Sequence, residues 1–178
     1  ENNGDGRLSG HRGLPCLHKV EADVATGAEL GYNINASALT MANTIFGQGV
    51  TVVGASYTGA TSSSAVYTNG QLAPGVVPST TGVILSTGDV RSFTQSSGDP
   101  NRSAGTSTNT TGIDNNSQFN AIAGARTFDA AWLDVDFIPT ANTLTMQFVF
   151  ASEEYPEYVN SNFNDVMGVW VNGSYVPI

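Results

Sequence analysis

Apolar side chains recur at every second position in several short stretches of this chain, and this period most constrains its fold. The clearest stretch is 144–151, where one face of a strand would carry Leu144, Met146, Phe148 and Phe150. Runs rich in β-branched and aromatic residues, bounded by Gly, Pro, Asn or Asp, predict four further strands: 49–55, 82–87, 131–138 and 166–172. Because these strands do not alternate with helices in a βαβ pattern, we predict an all-β sandwich or jelly roll.

Helical spacing of apolar residues is found in two places. A short amphipathic helix is predicted at 37–46, with Ser37 as its N-cap and Gly47 as its end. A second helical turn is predicted at 118–123, and the polar stretches 57–79 and 92–116 are interpreted as surface excursions. Residues 1–31 lack periodicity, so we predict an N-terminal arm or linker there and one domain over 32–178.

The charge of the chain excludes some classes of partner. A net charge of −9 without a basic stripe is unfavourable for nucleic acids and for anionic membrane surfaces. No apolar run approaches the ~20 residues that would span a bilayer, so we expect no direct membrane insertion. The lone Cys16 cannot form an internal disulfide, and the fold must depend on packing, hydrogen bonds or bound ions.

The acidic residues are concentrated near the C-terminus. From Thr127 to Ile178 there is no Lys, Arg or His, and the loop 153–165 contains four carboxylates: Glu153, Glu154, Glu157 and Asp165. If this loop folds back on itself, two like charges ~4 Å apart would repel by roughly 4 kcal/mol at an effective dielectric of about 20. A bound cation would relieve that repulsion, and oxygen ligands favour Ca²⁺. The spacing fits a solvated acidic loop equally well.

Catalysis is not predicted. Both histidines, His11 and His18, lie in the arm, away from any predicted nucleophile. Neighbouring side chains on a strand point to opposite faces, so Glu153 and Glu154 cannot flank one bond. A hydrolase that pairs one of these glutamates with Asp165 stays open as an alternative. On the strand 131–138, the period predicts that Asp134 and Asp136 share a solvent face.

Two motifs carry a resemblance to a known family. The segment FVFASEEYPEY at 148–158, followed by FNDVMGVWVNG at 163–173, closely resembles the choice-of-anchor L domain of bacterial surface proteins. Similar patterns lie at 39–53, 82–89 and 128–137, so the resemblance covers about 37–178. It implies a β-sandwich, secretion and attachment to the cell surface or matrix by interchangeable C-terminal anchors, and no particular activity.

The resemblance also places the candidate site. The acidic motif falls on Glu153, Glu154, Asn164 and Asp165, with Asp129 nearby from the preceding strand, and we predict that these five hold Ca²⁺. Domains of the family typically continue for several strands after the Val-Asn-Gly turn. This sequence stops at Ile178, so we expect either a fragment of a longer chain or an incomplete sandwich that another polypeptide completes by strand addition.

Two functional hypotheses follow from these expectations. The first is a secreted or cell-surface attached adhesive or biofilm-matrix protein, stabilised by calcium. It would associate with itself or with another surface protein, and would form filaments with the arm 1–31 as donor strand. The alternative is a calcium-dependent carbohydrate-binding module in which the aromatic platforms for a glycan would be Trp132, Tyr57 and Tyr67.

Overall fold

The fold is mainly antiparallel β-structure. A computed structural model describes residues 30–73, 76–93, 108–152, 158–161, 163 and 165–178. In these ranges the strands are β1 Gly31–Asn33, β2 Val50–Thr58, β3 Ser64–Thr68, β4 Gly82–Leu85, β5 Trp132–Pro139, β6 Val169–Val171 and β7 Ser174–Val176, and the helices are α1 Ala38–Ile45 and α2 Ser117–Ala123. The all-β class is therefore confirmed. The strands form the sheets β1-β3-β4, β2-β5 and β6-β7, which do not establish a jelly roll.

Helix α1 confirms the predicted amphipathic segment and its cap. The Ser37 hydroxyl accepts a hydrogen bond from the Thr40 amide at 3.1 Å, which satisfies a donor that the first helical turn leaves free. Met41 and Ala42 are buried, and the helix ends where the Phe46 amide donates to the Ala42 carbonyl. The Phe46 ring lies 4.9 Å from the ring of Phe137 on β5, so the end of the helix packs on the β2-β5 sheet.

The sheet β1-β3-β4 contains the best-buried part of the molecule. Tyr67 on β3 is only 2% exposed and clusters with Leu30 and Ala73. The interpretation of 57–79 as a surface excursion is wrong, because β3 lies inside that stretch. Its polar residues are tolerated in the interior because they are hydrogen bonded: the hydroxyl of the adjoining Ser63 donates to the Gly88 carbonyl at 2.9 Å.

The sheet β2-β5 follows the predicted alternation. Asp134 and Asp136 on β5 are exposed, whereas the intervening residues Leu133, Val135 and Phe137 are partly buried. The solvent face predicted for the two aspartates is therefore confirmed. Antiparallel pairing brings Ser56 of β2 opposite Asp134.

The C-terminal part forms a hairpin and an unpaired segment. The β6–β7 hairpin turns at Asn172-Gly173, whose φ angles of 49° and 77° match the two left-handed residues of a type I′ turn. The strand predicted at 144–151 is wrong as a paired element: within the described residues, no strand forms a ladder with it. A period of two makes a segment suited to a sheet, but a strand forms only where a neighbour supplies hydrogen bonds.

Candidate functional site

Two of the five predicted metal ligands belong to the part of the chain that the structure describes. Glu153, Glu154 and Asn164 lie outside the described residues, whereas Asp129 and Asp165 lie within them. The predicted Ca²⁺ site can therefore be followed only through these two carboxylates and their surroundings.

Asp165 is exposed and joins the two ends of the acidic loop. Its Oδ2 accepts a short hydrogen bond from the hydroxyl of Ser152, thirteen residues earlier in the chain. Within the loop, the rings of Tyr158 and Phe163 meet edge to face at 5.1 Å, and the Ser161 amide donates to the Tyr158 carbonyl at 3.0 Å. The residues that flank the acidic segment are thus close together, whereas its three glutamates lie outside the described residues.

Asp129 has a different set of partners. Its Oδ1 accepts hydrogen bonds from the Thr110 amide at 3.1 Å and the Thr110 hydroxyl at 2.9 Å, and its own amide donates to Oδ1 of Asp114 at 3.1 Å. It has a φ of 53°, beside the isolated bridge between Ile113 and Ala130. Through these contacts, Asp129 connects the loop that contains Thr110 and Asp114 to the residues just before β5.

The two carboxylates are therefore engaged separately. Among the described residues, no group of three His, Cys, Asp or Glu side chains is arranged to hold a metal ion. The contribution of Asp129 to the Ca²⁺ site stays a prediction, and its observed hydrogen bonds account for its position without a metal.

The aromatic residues predicted as glycan platforms are engaged in packing. Tyr67 is buried, and its hydroxyl lies 3.2 Å from the Ser79 carbonyl, so its assignment to an exposed platform is wrong. Burial raises the pKa of Tyr57, whose hydroxyl donates to the Ala60 carbonyl at 2.8 Å. The Trp132 indole is partly buried, 6.0 Å from the Phe119 ring, and donates to Asp134 at 3.0 Å.

A solvent-exposed apolar surface is the feature that sequence reasoning did not identify as a site. We call it the apolar face and define it by the even-numbered side chains of the unpaired segment: Leu144, Met146, Phe148 and Phe150. All four are about half exposed, with Phe148 at 44% and Phe150 at 51%. The alternation revealed the face itself, but only the tertiary structure shows that none of the described residues covers it completely.

Two open cavities adjoin the apolar face. One, of about 310 Å³, is lined by Phe148 and Phe150 together with Met167, Tyr175 and Ile178, and Asp165 also lines it. The other, of about 170 Å³, is lined by Leu144 with Phe46 and Val50. The apolar face therefore has open space beside it at both ends, next to the end of α1 and next to the C-terminal hairpin.

Comparison with known proteins gives one match. The family model described as the choice-of-anchor L domain matches residues 31–176, nearly the whole chain. No curated protein and no solved structure matches. Among the described residues, no helix is long and apolar enough to cross a membrane.

Proposed function

Because the chain belongs to the choice-of-anchor L domain family, a family of secreted and surface proteins, we propose that it is a structural or adhesive domain without catalytic activity. Its role would be to accept a β-strand from another polypeptide at the bacterial surface. The family membership indicates a bacterial surface-associated protein. The secretion of this chain, and its role as an assembly module of an adhesive layer or biofilm matrix, belong to the proposal.

The exposure of the apolar face is the observation that supports strand acceptance. Complete burial of a large apolar side chain is worth about 1.5–3 kcal/mol, so covering four half-exposed ones would contribute roughly 3–6 kcal/mol. Monomeric soluble proteins rarely leave contiguous apolar surfaces of this kind without a partner. The apolar face is therefore the part of the described surface that gains most from being covered.

The period of the segment favours a strand over a small ligand as the covering partner. An added strand forms main-chain hydrogen bonds along the edge, and its alternate side chains enter pockets beside the acceptor. The unpaired segment offers such an edge, because residues 144–150 form no ladder within the described structure. The two cavities beside Leu144 and Phe150 would receive alternate side chains of the incoming strand.

The surroundings of Asp165 do not favour the hydrolase alternative. A carboxyl pair that divides acid and base roles needs one member in an apolar, desolvated environment. Asp165 is exposed and accepts a hydrogen bond from the Ser152 hydroxyl. We therefore propose a binding role for this end of the molecule.

Association in solution tests the proposal directly. On raising the concentration of the full chain, we expect sedimentation velocity to show species larger than the monomer. Amide hydrogen exchange should slow at 144–150 in those species, because an added strand engages these backbone amides. Strand acceptance would be refuted if the chain stayed monomeric and its amides at 144–150 exchanged rapidly at every concentration, with or without an added partner strand. Repeated head-to-tail addition of one copy to the next would build a filament, because a head-to-tail contact that does not close into a ring continues indefinitely.

Calcium binding is the second part of the proposal. The Ser152–Asp165 hydrogen bond brings together the ends of a loop that contains three glutamates and no basic residue. A divalent cation would relieve the repulsion between these carboxylates, and Ca²⁺ accepts the oxygen ligands that the loop contains. The cation would thereby hold the loop beside the cavity that Asp165 lines.

Thermal unfolding with and without Ca²⁺ tests this part. Ligand at a hundred times its Kd stabilises a protein by ~2.7 kcal/mol, which corresponds to a rise in Tm of about 5–10 °C for a domain of this size. The Asp165→Ala variant should lose most of that rise, whereas the matched Asp136→Ala variant, altered at an exposed aspartate on β5, should retain it. Equal shifts in both variants, or none in the unaltered chain, would remove calcium from the proposal.

A further inference from the structure

We propose that the strand that covers the apolar face is the same segment, 144–150, of a second copy of this chain. The two segments would pair antiparallel about a twofold axis at Gln147, so that this residue lies opposite its own counterpart. This inference rests on the proposed function, because it requires that segment 144–150 accepts a strand. It goes beyond that function by naming the partner strand and its register.

The backbone of segment 144–150 is available for pairing. In the described part of the chain, no β-ladder includes these residues, and no main-chain hydrogen bond connects them to a turn or loop. Every one of them has an N–H donor and a C=O acceptor, and a row of such groups without a neighbour is a template for another strand. The segment therefore presents an open edge to a second copy.

The order of the side chains fits self-pairing about Gln147. In this register, Leu144 of each copy lies opposite Phe150 of the other, and Met146 lies opposite Phe148. All four apolar side chains of each copy thus meet an apolar partner on one face of the two-stranded ribbon, where opposite side chains are in contact. The thioether of Met146 beside the Phe148 ring adds a favourable sulfur–aromatic contact.

Other antiparallel registers lose this match. A shift by one residue places even-numbered side chains of one strand opposite odd-numbered side chains of the other, so the two apolar faces would point to opposite sides. A shift by two residues in one direction places Leu144 opposite Ser152. The same shift in the other direction places Phe150 opposite Asn142. The alternation therefore selects Gln147 as the centre of the pair.

The charge distribution allows two acidic chains to meet at this segment. Each copy has a net charge of −9, but residues 137–152 contain no charged side chain, and the acidic residues follow Ser152. In the antiparallel pair, the two Phe150 residues lie six positions apart along the ribbon, or about 20 Å at ~3.4 Å per residue. This separation is roughly twice the Debye length of ~8 Å in physiological salt. A parallel pair in register would bring the acidic ends together at a strand spacing of about 4.8 Å, so charge favours the antiparallel arrangement.

The exposed area predicts a reversible dimer. Phe148 and Phe150 are about half exposed, so those of both copies would together bury about 400 Å², given ~150–250 Å² for a complete aromatic side chain. Leu144 and Met146 add smaller areas, which leaves the contact below the ~1,200–2,000 Å² of stable interfaces. A twofold contact also closes at the dimer. The growth of a filament would therefore require a second, different contact.

Disulfide trapping on the odd-numbered side of the segment tests the register. In a chain with Cys16→Ser, one cysteine is introduced by Gln147→Cys, Thr145→Cys or Val149→Cys, at three exposed positions. Opposite residues of an antiparallel pair have Cα atoms about 4.5 or 5.5 Å apart, within the ~4.4–6.8 Å that a disulfide requires. Only Gln147 lies opposite itself. The two copies of Thr145, and likewise those of Val149, would be about 14 Å apart, so these variants are matched controls.

We expect the Gln147→Cys variant to form a disulfide-linked dimer about tenfold or more faster than either control alone, because pairing holds the two thiols within bonding distance. Thr145 lies opposite Val149 in this register. An equal mixture of the Thr145→Cys and Val149→Cys variants should therefore form the mixed dimer about tenfold faster than either uniform dimer. The full-length chains are oxidised mildly, separated without reductant and identified by intact mass.

Three results would overturn this inference. Equal trapping at all three positions, or uniform Thr145→Cys dimers that form faster than mixed ones, would exclude the antiparallel register. Absence of trapping at every position, while sedimentation and amide exchange still show an added strand, would exclude segment 144–150 of a second copy and leave strand acceptance standing. A monomeric chain whose amides at 144–150 exchange rapidly under all conditions would remove both, so the two failures are distinguishable.

Discussion

Replacing both Phe148 and Phe150 by serine should weaken strand acceptance about 10- to 150-fold while the domain stays folded. Complete burial of one phenylalanine side chain is worth about 1.5–3 kcal/mol, so covering the exposed half of both would contribute about 1.5–3 kcal/mol in total. That free energy corresponds to a change of about 10- to 150-fold in affinity. Because the other half of each side chain is buried in the monomer, we expect a loss of unfolding free energy of similar size, ~1.5–3 kcal/mol.

The measurement combines sedimentation with urea unfolding. A matched control replaces Val53 and Ile138 by serine, since these side chains are also exposed but belong to the β2-β5 sheet. The control should associate as the unaltered chain does. Unchanged association in the Phe148→Ser, Phe150→Ser variant would contradict the assignment of the apolar face as the acceptor. So would an equal loss of association in the control.

Replacing Tyr67 by alanine should destabilise the domain by about 3–5 kcal/mol, because the ring is almost completely buried and its removal leaves a cavity. Tyr67 is 2% exposed and packs with Leu30 and Ala73, and its hydroxyl lies 3.2 Å from both the Ser79 carbonyl and the Ser79 hydroxyl. Since native proteins are stable by only 5–15 kcal/mol, this one change would remove a large part of the total. Tyr67→Phe should cost only ~1 kcal/mol, which corresponds to the loss of the hydrogen bond.

Urea unfolding followed by circular dichroism checks this prediction. Tyr158→Ala is the control of the same chemistry at an exposed position, 38% accessible, and should cost less than ~1 kcal/mol. Equal losses at Tyr67 and Tyr158 would mean that the core is not centred on β3. A Tyr67→Ala variant that keeps its stability but loses binding to a glycan would restore the carbohydrate-binding alternative.

The local sequence was sufficient to predict a structural feature where residues close in the chain supply the interactions. Ser37 is an N-cap because its hydroxyl bonds an amide three residues later, and that contact requires no distant partner. The alternation on β5 likewise set which side Asp134 and Asp136 face, since the period of a strand is a local property. The Asn172-Gly173 turn follows the same rule through its left-handed φ angles.

Other elements escaped prediction because burial depends on residues far away in the chain. β3 lies in a stretch rich in serine and threonine, and it is buried because β1, β4 and the Gly88 carbonyl surround it. Asp129 was placed near the acidic motif by the family resemblance. The structure instead gives its carboxylate the amide and hydroxyl of Thr110, a choice that nothing in the local sequence reveals.

The segment 144–150 shows most clearly what the sequence determines and what only the tertiary structure determines. Its alternation alone determined that four apolar side chains share one face, because that depends only on backbone geometry. Only the tertiary structure decided that this face stays half exposed, since a β-ladder needs hydrogen-bonding groups from a second strand that sequence periodicity does not specify. The excess of acid after residue 127 is likewise determined by the sequence. Its arrangement depends on the fold, which joins Ser152 to Asp165 and ties Asp129 to a different loop.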